Sequence, residues 1–160
     1  MYNPYIIGKQ VYLRQPTEDD ALGRWHEWFS DEETTKYLAD RFWPNTRENQ
    51  IEFLKSLKNK SRLALSIITK ANDEHIGVVS LSSINWVHRY ADIAIVMGEK
   101  KYHKGGYSIE AFGLMLKAAF LRLNLRNIKS VYTSSNEESE AIHKIFKFTK
   151  VGEYKNLMFI

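Results

Sequence analysis

Cysteine is absent, which rules out a disulfide framework, a thiol nucleophile and cysteine-bound zinc. No apolar run approaches the roughly 18 residues that a membrane-spanning helix requires. The N-terminal Met1-Tyr2-Asn3-Pro4-Tyr5-Ile6-Ile7-Gly8 lacks a basic leader ahead of a long apolar stretch. A cytoplasmic location with no membrane partner is therefore expected, and Asn59-Lys60-Ser61 is a glycosylation sequon without a secretory context. Internal repeats, low-complexity tracts and linker-like segments are missing too. Residues 1–160 are thus expected to form one domain whose single core carries both fold and site. A concentrated block of one charge is also lacking: 23 Lys and Arg against 19 Asp and Glu give +4, spread along the chain. With no clustered basic face and no recognition helix, nucleic acid is not an expected partner, whereas a mildly basic surface suits a small phosphorylated ligand.

What is present is enough apolar and aromatic material, 44% and 13%, to bury a core. Val11-Tyr12-Leu13-Arg14 is β-prone, Pro16 ends it, and Thr17 is placed to cap a helix whose first turn holds Glu18, Asp19 and Asp20. Leu22, Trp25, Trp28 and Phe29 continue that helix, and Asp31 to Leu38 is expected to extend it by another turn or two. Trp25 reads as core packing or as an aromatic edge of an acceptor pocket. Asn45 and Thr46 precede a short amphipathic helix marked by Ile51, Leu54 and Leu57, and the basic stretch Lys55 to Arg62 reads as a solvated face. Leu63 to Thr69 and Ile76 to Ile84 form an antiparallel hairpin across a turn at residues 71–74. Ala91 to Gly98 is a buried strand, the fourth in this count. A long apolar helix begins at Tyr107, with Ile109, Phe112, Leu116, Ala119, Phe120 and Leu123 on its densest stripe and no proline to interrupt it. Ile128 to Thr133 is a strand, Asn136 to Phe146 a helix, and Phe148 to Ile160 extended chain with a break near Gly152.

The segment that carries chemistry joins a buried strand to a buried helix: Tyr102-His103-Lys104-Gly105-Gly106-Tyr107-Ser108-Ile109-Glu110-Ala111. Two glycines let the backbone approach a ligand closely, and the free amides and positive dipole end of the following helix suit a pyrophosphate. His103 and Lys104 add positive charge. The glycines follow neither G-x-x-x-x-G-K-[ST] nor G-x-G-x-x-G after a first strand, so neither of those nucleotide-binding fingerprints applies.

This segment resembles the acetyl-CoA motif of the GNAT acetyltransferases, Q/R-x-x-G-x-G/A, with His103, Gly106 and Ser108 at its defined positions. Ala91-Asp92-Ile93-Ala94-Ile95 resembles that family's fourth strand, and Gly106 to Ala111 resembles its G-Y-x-x-E-A helix start. Asn136-Glu137-Glu138-Ser139-Glu140-Ala141-Ile142-His143 through Phe148 resembles N-x-x-[AS]-x-x-L-Y-x-x-x-G-F. The resemblance spans Val11 to about Phe159 and is closest to the RimJ/RimL-like branch. It implies a GNAT fold of the α/β (α+β) class: a mixed, mostly antiparallel sheet splayed between the fourth and fifth strands and flanked by about four helices. It also implies acetyl-CoA as cosubstrate, no metal, backbone amides around Lys104, Gly105, Gly106, Tyr107 and Ser108 on the pyrophosphate, and strand residues Val96 and Met97 on the pantetheine. Asn136 and Ser139 would close the far side of the coenzyme site.

The chain departs from the family where His143 and Lys147 replace tyrosine and glycine. An imidazolium at His143 could protonate the leaving thiolate, or the residue could be a packed histidine. Asp92 is the candidate base for the attacking amine, or else a structural carboxylate; His88 is a second base or acceptor contact, or a surface histidine. Direct attack in a ternary complex is the implied route, with a strand amide polarising the thioester oxygen. The acceptor is expected to be a small-molecule primary amine, such as an amino-sugar nucleotide, or a protein N-terminus. The alternatives are a polyamine, which Glu32, Glu33 and Asp40 would serve by clustering, and a non-catalytic coenzyme A-binding module. Relatives continue past residues like Asn156-Leu157-Met158-Phe159-Ile160 into a further strand, so a missing or truncated last strand, or an edge covered in a homodimer, is expected.

Overall fold

The structure, a computed structural model, describes residues 1–157, and the segment Met158 to Ile160 lies outside the described residues. Six strands follow one another in both sequence and space: β1 (Pro4–Ile7), β2 (Val11–Arg14), β3 (Leu63–Thr69), β4 (His75–Asn85), β5 (Tyr90–Met97) and β6 (Asn127–Lys129). All neighbours are antiparallel except β5 and β6. The helices are α1 (Glu18–Leu22), α2 (Arg24–Ser30), α3 (Arg47–Ser56), α4 (Tyr107–Leu121) and α5 (Glu137–Ile145). This is the mixed, mostly antiparallel α/β sheet expected, with β1 added ahead of the predicted first strand.

Local chemistry sets these boundaries. Thr17 accepts from the Asp20 amide while the Asp20 carboxylate accepts from the Thr17 amide, a reciprocal cap that fixes the start of α1. The expected single helix breaks at Gly23, which leaves helical geometry and gives α1 and α2 separate axes. Residues 31–38 form hydrogen-bonded turns instead of the expected helical extension, because the Asp31 carboxylate takes both the amide and the hydroxyl of Thr34. Residues 148–157 contain no strand.

The sheet separates two apolar layers. On one face α4 buries Ala111, Phe112, Met115, Ala118 and Ala119 against Val11, Leu13, Leu65, Ile67, Leu81 and Ile93. The predicted stripe is therefore rotated. Phe120 is exposed, and the small Ala111 and Ala118 take the sheet side because they let the helix approach closely. On the other face Trp25 and Trp28 pack on Ala64 and Val78, with Phe53 edge-on to Trp25 at 5.4 Å. Trp25 is a core residue.

A buried polar knot ties α1 to the sheet. Arg14 grips Asp20 with two hydrogen bonds of 2.6 and 2.9 Å, and the Ser66 hydroxyl donates to the same carboxylate at 2.9 Å. Burial would raise the Asp20 carboxyl, yet the Arg14 guanidinium and the Thr17 amide hold it below the usual range. The His75 ring packs on Trp28 at 4.7 Å and donates from Nε2 to the Gly77 carbonyl at 3.0 Å. Nδ1 consequently carries no proton and makes no hydrogen bond, although it lies 3.4 Å from Asp20 Oδ1. Burial pushes His75 down to about 4, with Asp20 opposing the shift only in part.

The sign of the pH dependence follows. An unfolded His75 takes up a proton near its ordinary value of 6.5, whereas the folded ring resists until about 4. Its contribution is complete above pH 6.5 and is lost as the pH falls toward 4, by on the order of 3 kcal/mol. Urea unfolding across this range should show the decline in the wild type and a flatter profile in His75→Gln.

Candidate functional site

Beyond β5, the chain turns through residues 98–106 into α4. Gly105 and Gly106 both adopt left-handed backbone, at φ 96° and 83°, a conformation that side chains disfavour. Gly106 caps α4 without any side-chain bond, and its carbonyl accepts from the Glu110 amide at 2.9 Å. The six amides from Lys104 to Ile109 find no acceptor among the described residues. Consecutive open amides at a helix start form a cradle for an anion. A Cβ on Gly106 would meet nothing nearer than Gln10 Nε2, at 3.8 Å, whereas one on Gly105 would meet the Tyr107 ring at 3.0 Å, so the open space lies at Gly106.

The cations around this loop are unequal. Lys100 pairs with Glu33 and Lys101 with Glu74, whereas Lys104 forms no ion pair among the described residues. Pairing with Lys100 also removes Glu33 from the acidic cluster proposed for a polyamine, and the side chain of Asp40 lies outside the described residues. His103 turns back on the strand: its Nε2 donates to the Met97 carbonyl at 2.9 Å, so a neutral ring offers only a lone pair from Nδ1.

Strand β5 supplies the second half of the site. Its parallel pairing with β6 covers only Tyr90, Ala91 and Asp92, opposite Asn127, Ile128 and Lys129, and then stops. The expected strand to Thr133 is cut short there, and the splay lies at this pair. Alternation fixes which backbone groups face the opening. Gly98 donates toward β4, to the Ile76 carbonyl, while the Ile93 carbonyl takes the Ser130 hydroxyl at 3.3 Å on the β6 side. The odd-numbered residues Ile93, Ile95 and Met97 therefore present their polar groups to the opening. Val96 directs its carbonyl toward Gly77 on β4. Ile95 is the residue that sequence reasoning missed, since the parity of a strand depends on which neighbour stops pairing.

Helix α5 begins with Asn136, whose side chain accepts from the Ser139 amide at 3.1 Å, so both residues serve the helix start. His143, four residues on, donates from Nδ1 to the Ser139 carbonyl at 2.5 Å. Its ring is buried among Tyr132, Phe148 and Phe112, at 4.6, 4.9 and 5.8 Å between centroids. Nε2 has no partner. A carbonyl cannot donate, so the proton of a neutral ring resides on Nδ1, and Nε2 can give a proton only from the imidazolium. Asp92 is one-third exposed at the point of splay, 3.5 Å from Lys129, which also lies over the Tyr90 ring. His88 sits in the exposed β4–β5 turn, where its backbone amide is bound by Asn85 and its ring makes no hydrogen bond among the described residues.

A sheet opened at one parallel pair, with a glycine loop of free amides at the strand end, defines a GNAT-type α/β domain. Residues 10–149 match the acetyltransferase (GNAT) domain, and the chain belongs to this family. Over 93 residues, 58% of the chain, it is 29% identical to the spermidine N(1)-acetyltransferase of Escherichia coli strain K12, covering 50% of that protein. The chain thus spans about half the length of the curated relatives it matches. The spermidine N-acetyltransferase from Vibrio cholerae, solved with CoA and spermine, superposes with a TM-score of 0.86 at 19% identity over 96% of this chain and 89% of that one. RimL, the ribosomal L7/L12 alpha-N-protein acetyltransferase, gives 0.82 at 16% identity over 99% and 87%. At these identities the structural likeness shows the shared fold. No helix among the described residues is long and apolar enough to cross a membrane.

After α5, Lys147 occupies the position of the family's glycine and holds φ at 57°, while the Phe148 amide donates to the His143 carbonyl at 2.9 Å. A non-glycine residue is strained there. Lys147→Gly should stabilise the chain by about 1 kcal/mol, read as a raised urea midpoint.

Proposed function

We propose that this chain is an acetyl-CoA-dependent N-acetyltransferase acting on a primary amine. The observation that carries the reading is the run of six open amides at residues 104–109, set at the end of a strand whose backbone is free along one edge. Acetyl-CoA supplies an activated acetyl thioester. On the protein side, the amides of Lys104 to Ile109 and the Lys104 ammonium hold the diphosphate, and the polar groups of Ile95 with the N–H of Met97, whose carbonyl His103 already takes, extend the sheet onto the pantetheine amides. An open amide on the same edge polarises the thioester oxygen. Asp92 takes the proton released as the amine nitrogen bonds to the acyl carbon, and the C–S bond breaks. His143 returns a proton to the thiolate from Nε2, as the imidazolium. The site calls on no metal.

The acceptor class follows the relatives: a small-molecule primary amine or a protein N-terminus. The similarity to RimL supports a RimJ/RimL-like assignment. Spermidine joins the amino-sugar nucleotide and the peptide N-terminus as acceptors to test, because the curated matches are spermidine acetyltransferases.

Thiol release from acetyl-CoA, assayed with spermidine, a peptide amine and an amino-sugar nucleotide, tests the reading. Turnover with at least one is expected, whereas tight coenzyme binding without turnover identifies a binding module and overturns it. Asp92→Asn should lower kcat by roughly 10²- to 10⁴-fold. His143→Phe should lower kcat over a similar range, read in the same assay.

A further inference from the structure

The glycine pair that opens the anion loop is also where the loop is easiest to invert. With glycine at both Gly105 and Gly106, no Cβ resists rotation of the peptide unit between them. A trans peptide points its C=O and N–H in opposite directions. Half a turn of this unit would replace the outward N–H of Gly106 with the carbonyl oxygen of Gly105, a partial negative charge where an anion is to bind.

One contact opposes that rotation. Gln10, in the turn between β1 and β2, donates from Nε2 to the Gly105 carbonyl at 3.2 Å. The carbonyl can only accept, so the carboxamide must face it with nitrogen. Gln10 is itself anchored to the helix that carries the open amides. Its backbone N–H lies 3.0 Å from each carboxylate oxygen of Glu110, and the Lys9 N–H donates to the same carboxylate. On its other side the Gln10 carbonyl accepts from the Lys70 amide at 2.9 Å. The carboxamide also lies next to the second glycine, since Nε2 is the nearest atom to the direction in which Gly106 lacks a side chain.

We propose that Gln10 is a positioning residue of the diphosphate loop: it ties back the Gly105 carbonyl and so aims the Gly106 N–H at the ligand, with Glu110 holding Gln10 in place. This inference rests on the reading of residues 104–109 as the coenzyme diphosphate site. It assigns a binding function to a turn 95 residues upstream of the loop. The effect is confined to ligands that carry the diphosphate.

The test compares the wild-type chain with Gln10→Met, which keeps the reach and loses the donor, and Gln10→Glu, which presents only acceptors at neutral pH. Calorimetry gives the affinity for CoA. Steady-state kinetics give KM and kcat for acetyl-CoA and for S-acetylpantetheine, which has no diphosphate. Gln10→Met is expected to weaken CoA and raise KM for acetyl-CoA by about tenfold, the scale of one hydrogen bond. Gln10→Glu should do worse, with kcat and the S-acetylpantetheine KM unchanged in both. In ¹H–¹⁵N spectra the CoA-induced shift of the Gly106 amide should shrink in the variants. Unchanged CoA affinity in both variants, or equal losses on both acyl donors, would overturn the proposal. A wild type that does not bind CoA would instead remove the reading on which it rests.

Discussion

Hydrogen bonds that the backbone does not make are the constraint around which this domain is organised. A sheet gains by pairing every strand edge, yet β5 and β6 part after three residue pairs, and the loop that follows leaves six successive amides open. Such groups are tolerated only where solvent or a ligand meets them. The surrounding elements hold this geometry in place: α4 backs one face of the sheet, and the Trp25 and Trp28 layer backs the other.

The division of labour between side chain and main chain is uneven. The loop's own side chains are largely committed elsewhere, with His103 on a carbonyl and Lys100 and Lys101 in ion pairs. In the proposed site, backbone dipoles and Lys104 would therefore do most of the anion binding. Binding of that kind would tolerate His103 at a position where the family has a cationic or amide side chain, because recognition by main-chain amides is insensitive to side-chain identity.

Much of the architecture is legible in the residues. The hairpin strands are bounded by turn chemistry and rich in β-branched side chains, so Leu63 to Thr69 is predicted with its observed ends. The glycine pair at 105 and 106 stands out because its position between a buried strand and a buried helix is local information. Other features are not local. β1 is four residues long and begins with proline, giving no period to detect. The break at Gly23 hides inside a continuous helical pattern. The parity of β5 that selects Ile95 over Val96, and the aromatic enclosure of His143 by Tyr132 and Phe148, depend on which segments meet in space.

The contact between Trp28 and Gly98 has a mechanical consequence. The indole lies where a Gly98 side chain would project, and its Nε1 donates to the Glu99 carboxylate at 3.0 Å, which Arg24 also grips. Helix α2 is thereby geared to the two residues that lead out of β5. Any side chain at residue 98 would collide with the indole, so the helix and the exit of the strand fix each other's position.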